Sequence, residues 1–179
     1  MRIFHCDHCS RPVFFENTLC GNCGNKLAYL PDLKIVGSLD PVKETPGAGE
    51  LWASPVKRAE GRRYRLCKNY TKHRVCNWAL REDESNPLCP SCRLTRVIPD
   101  LSVTSNHEAW RRLEIAKRRV VYSLMEFELP LQDRGKDPQR GLEFRFLGDP
   151  PPPALVSAAA MGSAPVAGSG PLAASPTIR

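Results

Sequence analysis

Eight cysteines are the residues of this sequence whose type and spacing could do chemistry, and they fall into two sets of four. The first set is spaced C-x2-C-x10-C-x2-C and the second C-x8-C-x12-C-x2-C. Four thiolates close a tetrahedral zinc site and leave no position open for water or substrate, so the spacing predicts two structural Zn²⁺ sites. Thiolates also hold iron, which is the alternative metal. The predicted ligands are Cys6, Cys9, Cys20 and Cys23 in the first site, and Cys67, Cys76, Cys89 and Cys92 in the second.

The surrounding sequence favours metal over disulfides. The first ten residues hold one Arg besides the two cysteines and no apolar stretch typical of a secretory signal. No run of about 18 apolar residues is present that could span a membrane. Cysteines in a reducing cytoplasm stay as thiols or metal thiolates. We therefore expect a cytoplasmic protein with metal-bound cysteines and no membrane partner.

The remaining polar residues form no recognisable catalytic motif. His107-Glu108 begins an H-E-x-x-H motif, but Arg111 stands where the second zinc-binding His is needed. His5, His8 and His73 flank or interrupt the cysteine sets, and each could replace a cysteine as ligand. Because four thiolates are present in each set, we expect these histidines at the surface or in supporting positions. The sequence predicts no catalytic residue.

Two modules, a helix and a tail are predicted around these cysteines. Modules of about 30 to 40 residues bury too little apolar surface to fold without a staple, so a small, metal-stabilised α+β fold is expected. In the first module, Gly21 and Gly24 suit the positive φ of zinc knuckles. The predicted segments are a zinc ribbon at 1–31, a turn-rich linker at 32–56, a second four-cysteine module at 57–104, a helix and strand at 105–149, and a disordered Pro/Ala/Gly/Ser-rich tail at 150–179.

The best helix pattern covers residues 105–128. Ser105 and Glu108 form a capping-box pattern at its start, and Pro130 ends it. The predicted apolar side, which we expect to pack against the second module or a following domain, holds Trp110, Leu113, Val120 and Leu124, with Ala109 and Ala116 beside them.

A basic segment supplies the whole charge excess. The net charge is +7, and Lys57–Arg74 holds eight Lys and Arg against the single acid Glu60. With Tyr64 and Tyr70 interleaved, this segment could bind nucleic acid or a protein partner. A solvated loop between two zinc modules is the simpler interpretation.

Several segments of the chain are long and unusual enough to identify a family: 1–9, 14–17, 27–31, 64–67, 76–78, 88–101 and 116–124. Together they resemble the bacterial zinc-binding metallopeptidases that carry an N-terminal zinc-ribbon domain. The resemblance covers roughly residues 1–150. It implies that a catalytic domain with an H-E-x-x-H zinc site follows in the complete protein, although no position of this chain matches those catalytic residues.

The resemblance and the cysteines together predict a zinc-ribbon protein, a truncated and non-catalytic member of that family. The composition changes abruptly at Pro150, after which Arg179 is the only charged side chain. One hypothesis is that this tail is an out-of-frame reading of a GC-rich gene; a natural flexible tail is the alternative. The competing functional hypothesis is a free-standing zinc-ribbon module that binds nucleic acid or protein through residues 57–74.

Overall fold

The computed structural model describes residues 2–42 and 50–148. The predicted disorder of residues 150–179 lies outside the described residues. The strands are β1 Phe4–His5, β2 Pro12–Val13, β3 Lys26–Leu30, β4 Ile35–Pro41, β5 Trp52–Ala53, β6 Arg63–Leu66, β7 Ala79–Arg81, β8 Thr95–Val97 and β9 Phe144–Arg145; the helices are α1 Lys68–Thr71, α2 Pro90–Arg93 and α3 Thr104–Glu126, with a 3-10 turn at Lys57–Ala59.

A five-stranded antiparallel sheet, in the order β3-β4-β5-β6-β7, forms the centre of the fold. Its first strand also meets the residues directly before its last strand: Tyr29 of β3 forms a parallel bridge with Trp78, and the Tyr29 N–H donates to the Asn77 carbonyl at 2.8 Å. Strand β3 follows the first cysteine set, whereas β6 ends directly before Cys67 and β7 lies between Cys76 and Cys89 of the second set. Both predicted modules therefore contribute strands to one sheet, while their division into separate domains stays a prediction.

The segment 32–56 differs from the linker that its turn residues suggest. It supplies β4, which pairs with β3 over five residues, and β5, which joins β4 to β6. Ile35 and Val36 are β-branched and suit a strand, and residues 36–39 are buried. The Pro- and Gly-rich stretch that indicated a linker falls mostly at 43–49, outside the described residues.

An aromatic cluster fills the space between the sheet, the first cysteine module and α3. The Tyr29 ring lies 4.6 Å from Trp78, 5.2 Å from Phe15 and 5.7 Å from Tyr122, measured between centroids. Several of these pairs are edge-to-face, an arrangement worth about 0.5–1.5 kcal/mol beyond area burial. Because Phe15, Tyr29, Trp78 and Tyr122 come from four separate segments, this cluster fixes how those segments pack.

Helix α3 begins one residue earlier than predicted and lacks the predicted capping box. Val103 is its N-cap, with no side-chain cap, and Ser105 lies inside the first turn. Glu108 instead bonds Arg111 and Arg112, which are its neighbours one turn further along. The helix ends at Glu126 and the chain turns through Glu128 at φ 56°, ahead of Pro130.

The buried side of α3 also differs from the prediction. Trp110 is buried as expected, but Leu113 and Val120 are exposed. The core side instead carries charged residues that are tolerated because they find partners inside the protein. The buried residues of this side are Trp110, Glu114, Lys117, Arg118, Val121 and Tyr122.

Strands β8 and β9 pair in parallel and bring the chain back beside the start of α3. The strand predicted after the helix within 105–149 corresponds to the two residues of β9. Within residues 2–42 and 50–148, no helix combines the length and the apolar composition needed to cross a bilayer. The cytoplasmic location stays a prediction.

Candidate metal centres

The first cysteine cluster is built by two knuckle turns of the same design. In each, the N–H four residues after the leading cysteine donates to that cysteine's carbonyl: Ser10 to Cys6 at 2.8 Å and Gly24 to Cys20 at 2.9 Å. Gly24 has φ 75°, as predicted, and Ser10 takes the matching position at φ 58°. Gly21 is not among the residues with positive φ. The turns therefore aim two C-x2-C pairs at one point.

The sulfur atoms of this cluster lie at metal-site spacing. The Sγ atoms of Cys6 and Cys23 are 3.6 Å apart, and those of Cys9 and Cys20 are 3.5 Å apart. All four Sγ atoms lie within 4.8 Å of one another. A tetrahedron with Zn–S bonds of about 2.3 Å has S···S edges of about 3.8 Å, whereas a disulfide bond is about 2.05 Å long. The spacing fits one tetrahedral metal ion and no disulfide.

The second cluster is assembled from more distant parts of the chain. Cys67 precedes α1, Cys76 precedes β7, and Cys89 and Cys92 lie at α2. The Cys76 and Cys89 Sγ atoms are 3.7 Å apart, and all four Sγ atoms again lie within 4.8 Å. This cluster fits the same tetrahedron, although only one of its halves is a C-x2-C pair.

Backbone N–H groups point at the sulfurs of the second cluster. The N–H of Cys89 donates to Cys67 Sγ at 3.3 Å, and that of Cys92 donates to Cys89 Sγ at 3.4 Å. The Trp78 N–H donates to Cys76 Sγ at 3.4 Å. Such bonds stabilise the thiolate over the thiol, which is the form that binds metal.

The thiols within a cluster compete for negative charge. Burial opposes ionisation of Cys6, but hydrogen bonds from the Ser38 hydroxyl and nearby backbone outweigh it and lower the pKa of this thiol to about 6. Burial raises the pKa of Cys76 and of Cys89, while bonds from neighbouring thiols lower the pKa of Cys67. Ionising all four thiols in so small a space requires a cation among them.

Burial distinguishes the two clusters. Cys6 and Cys20 are buried in the first cluster, but Cys9 is half-buried and Cys23 is exposed. All four cysteines of the second cluster are buried. Solvent therefore reaches the first cluster and is excluded from the second.

Ser38 supports the first cluster and was not anticipated from the sequence. Its hydroxyl lies 3.4 Å from Cys6 Sγ and accepts the Asp7 N–H at 3.2 Å, while its own N–H donates to the Asp7 carboxylate at 2.7 Å. Ser38 lies on β4, in the segment expected to be a linker. No sequence signal links Ser38 to Cys6 and Asp7, because only the folded chain brings β4 beside the first knuckle.

The histidines lie outside both clusters of potential ligands in the described residues. His8 Nε2 is 3.0 Å from Asp40 Oδ1, on the exposed side of the first knuckle. His107 Nε2 is 2.7 Å from the carbonyl oxygen of His73. Both of these ring nitrogens thus contact oxygen atoms rather than cysteine sulfurs, and the supporting role of the histidines stays a prediction.

The basic segment is largely engaged within the protein. Arg62 pairs with Asp32 at 2.6 Å, and Arg63 pairs with Glu82 at 3.0 Å. Arg58 donates to the carbonyl of Leu33, and Arg65 to that of Asn86. Four of the five arginines of this segment thus have partners within the protein, and Arg74 is the fifth.

Comparison with known proteins identifies the family that contains these cysteine clusters. Two clusters of four cysteines at metal-ligand spacing are typical of a metal-binding protein. Residues 3–103, more than half of the chain, match the zinc-ribbon domain family, and the chain belongs to this family. Residues 106–164 match a second family, described as "Putative zinc-binding metallo-peptidase". The predicted resemblance is thereby confirmed, and the second match begins in α3 and runs past Pro150.

Three mycobacterial proteins are similar to this chain. One from Mycobacterium bovis and two from strains of Mycobacterium tuberculosis are each 33% identical to this chain over 147 residues. All three carry the name "uncharacterized protein". The alignments cover 82% of this chain but 37% of each relative, so the chain spans little more than a third of their length. No solved structure matches the chain.

Proposed function

We propose that each four-cysteine cluster holds one Zn²⁺ as a structural ion, and that residues 2–103 serve as the zinc-ribbon part of a metallopeptidase-like protein. The observation that carries this proposal is the spacing of the sulfurs: two independent sets of four Sγ atoms, each within 4.8 Å, with closest pairs at 3.5–3.7 Å. The proposed ligands are Cys6, Cys9, Cys20 and Cys23 at one site, and Cys67, Cys76, Cys89 and Cys92 at the other.

The donor set supports a structural role for the metal. Four thiolates complete the preferred coordination of zinc, so no position remains for a water molecule or a substrate carbonyl. A catalytic zinc keeps such a position open. Iron fits four thiolates as well, and the match to a zinc-ribbon family favours zinc over iron.

Bound zinc would supply folding free energy. At the first site it would tie the β1–β2 hairpin to the turn before β3, and at the second it would tie α1 and α2 to the residue ahead of β7. These elements are too short to be stable alone, since two-stranded hairpins and four-residue helices are marginal in water. Metal binding and folding of residues 2–103 are therefore expected to occur together.

We further propose that the described residues carry no catalytic step. Within residues 2–42 and 50–148, His, Cys, Asp and Glu side chains gather at metal-ligand spacing only in the two cysteine clusters. His107-Glu108 continues to Arg111, which bonds Glu108 rather than offering a zinc ligand. Peptidase chemistry, which the second family match implies for the complete protein, would then belong to other residues.

The test is a metal count combined with chelation. Elemental analysis of protein purified without added metal should give two zinc ions per chain and no stoichiometric iron. Cys6→Ser and Cys67→Ser should each lose one zinc, whereas His8→Ala, a change beside a ligand, should keep both. A strong chelator should unfold residues 2–103, as followed by circular dichroism. One or no zinc ion in the wild-type chain, or a spectrum unaffected by complete zinc removal, would reject the proposal.

The alternative of nucleic-acid binding rests on fewer cations than the sequence suggested. After the ion pairs of Arg62 and Arg63, the remaining basic groups near α1 are mainly Lys68, Lys72 and Arg74. Binding through phosphate contacts would weaken steeply with salt. A titration with single-stranded RNA at low and moderate salt tests it, and absence of binding at low salt removes it.

A further inference from the structure

The exposed side of α3 is a second apolar stripe, separate from the side that packs on the core. Leu113, Val120 and Phe127 stand seven residues apart and are 45%, 50% and 74% exposed. The positions between them, also seven residues apart, are small and exposed: Ala109, Ala116 and Ser123. The alternating steps of four and three residues keep the first five on one side of the helix, and Phe127, the C-cap, continues the stripe just past its end.

This stripe has the form of a helix-pairing seam. It runs from 109 to 127, a length of about 27 Å at 1.5 Å per residue. The core side of α3 is occupied by Trp110, Glu114 and Arg118, so the stripe has no packing partner within the described residues. The Ser123 hydroxyl donates to the Arg119 carbonyl of its own helix at 3.0 Å, which leaves its small side chain able to sit in an apolar seam.

The alternation of small and large residues along the stripe is self-complementary: when a second copy of the helix runs in the opposite direction, each large residue faces a small one. If two copies of α3 pair antiparallel with residue 118 at the centre, every layer joins one large and one small side chain. A single register satisfies every layer at once. The layers are Ala109 with Phe127 of the second copy, Leu113 with Ser123, and Ala116 with Val120, each occurring twice by the two-fold symmetry.

The charges at the edge of the stripe are compatible with the same register. The Arg112 side chain is 76% exposed and pairs with Glu108 of its own helix; the antiparallel register brings it alongside Glu126 of the second copy, which pairs with Arg2 of its own chain. Arg119 meets its own equivalent near the two-fold axis, and each Arg119 is bonded to Glu16 of its own chain. Groups of opposite charge thus lie at both ends of the seam, and each of these charges is also paired within its own chain.

We propose that α3 forms an antiparallel, close-packed pair with α3 of a second copy, joining two chains through Ala109, Leu113, Ala116, Val120, Ser123 and Phe127. A lipid surface or an unrelated apolar groove would favour large residues along the whole stripe, not a small residue at every second position. A single helix seam covers less than the roughly 800 Å² per partner of a standard interface. The association is therefore expected in the micromolar range, reversible on dilution.

The experiment is sedimentation velocity on the zinc-loaded full chain, from low micromolar to several hundred micromolar concentration. The wild-type chain should shift from monomer to dimer across this range. Ala116→Leu should weaken the dimer about tenfold or more, because the added bulk meets Val120 of the second copy. Val120→Ala should weaken it to a similar degree by leaving a void. The double variant A116L/V120A exchanges large and small across the same layer and should restore association.

The control variant is Ile3→Ala, which removes an exposed apolar side chain away from the stripe. It should leave the dimer unchanged, and melting temperatures should stay constant across the set because positions 3, 116 and 120 are all exposed. Three results would overturn the proposal: a monomer at every concentration, a tighter dimer with Ala116→Leu, or no recovery in the double variant.

Discussion

Helix α3 buries an ion pair whose disruption gives a large and measurable effect. The Lys117 ammonium lies 2.7 Å from the Glu114 carboxylate, and the two side chains are 1% and 0% exposed. The carboxylate also accepts from Trp110 Nε1 at 3.2 Å and from the Thr95 hydroxyl at 2.9 Å. This cluster joins α3 to β8, so its loss should loosen the attachment of the helix.

The expected magnitude follows from what each substitution leaves behind. At 2.7 Å and an effective dielectric constant of about 20, the attraction is roughly 6 kcal/mol before the cost of desolvating both charges. Lys117→Met removes one partner and leaves the Glu114 carboxylate buried without its counter-ion, which should cost about 3–5 kcal/mol. The double variant Glu114→Gln with Lys117→Met keeps an acceptor for Trp110 and Thr95 and buries no charge. It should lie within about 1 kcal/mol of the wild type.

Urea unfolding in excess zinc, followed by tryptophan fluorescence, measures these free energies. Arg111→Met is the matched control, since Arg111 pairs with Glu108 on the same helix but is 42% exposed. It should cost no more than about 0.5 kcal/mol. A loss under about 1 kcal/mol for Lys117→Met, or a double variant less stable than the single one, would refute the reasoning.

Other predictions concern the metal sites and the packing around the sheet. A chelator should remove zinc from the first site before the second, because Cys23 is exposed while the second cluster is buried; selective mass spectrometry of the alkylated cysteines would show the order. Gly37→Ala would place a methyl group 3.0 Å from Leu30 Cδ1 in the core and should cost about 1–3 kcal/mol, measured by urea unfolding. Arg118→Ala removes the bond to the buried Val75 carbonyl and should cost about 1–3 kcal/mol in the same assay; an unchanged midpoint would exclude this role.

The first cysteine set could be predicted because its geometry is mostly local. A C-x2-C pair with a residue of positive φ just after it forms a knuckle from a few consecutive residues, as Cys20 to Gly24 does. In the second set, only the folded chain brings Cys67 close to Cys76. The presence of four cysteines, two of them in a C-x2-C pair, nevertheless predicted one metal site. The zinc-ribbon family match agrees with this interpretation.

The sheet and the orientation of α3 could not be predicted for a physical reason common to both. Strand β4 lies in a segment whose prolines and glycines indicate turns, and only pairing with β3 makes it a strand. The periodicity of α3 marks Leu113 and Val120 as its apolar side, but the core accepts the side bearing Glu114 and Lys117 because they pair with each other. Long-range partners decide both outcomes, and sequence spacing does not contain them.

The central claim is that each cysteine cluster binds one zinc ion through four sulfurs. X-ray absorption at the zinc edge on the purified protein tests it directly, because the spectrum reports the type and the distance of the ligand atoms. The account predicts two zinc ions per chain, both with four sulfur ligands at about 2.3 Å and no nitrogen or oxygen ligand. A zinc ion with a histidine nitrogen or water oxygen in its coordination shell, or a single zinc per chain, would contradict it.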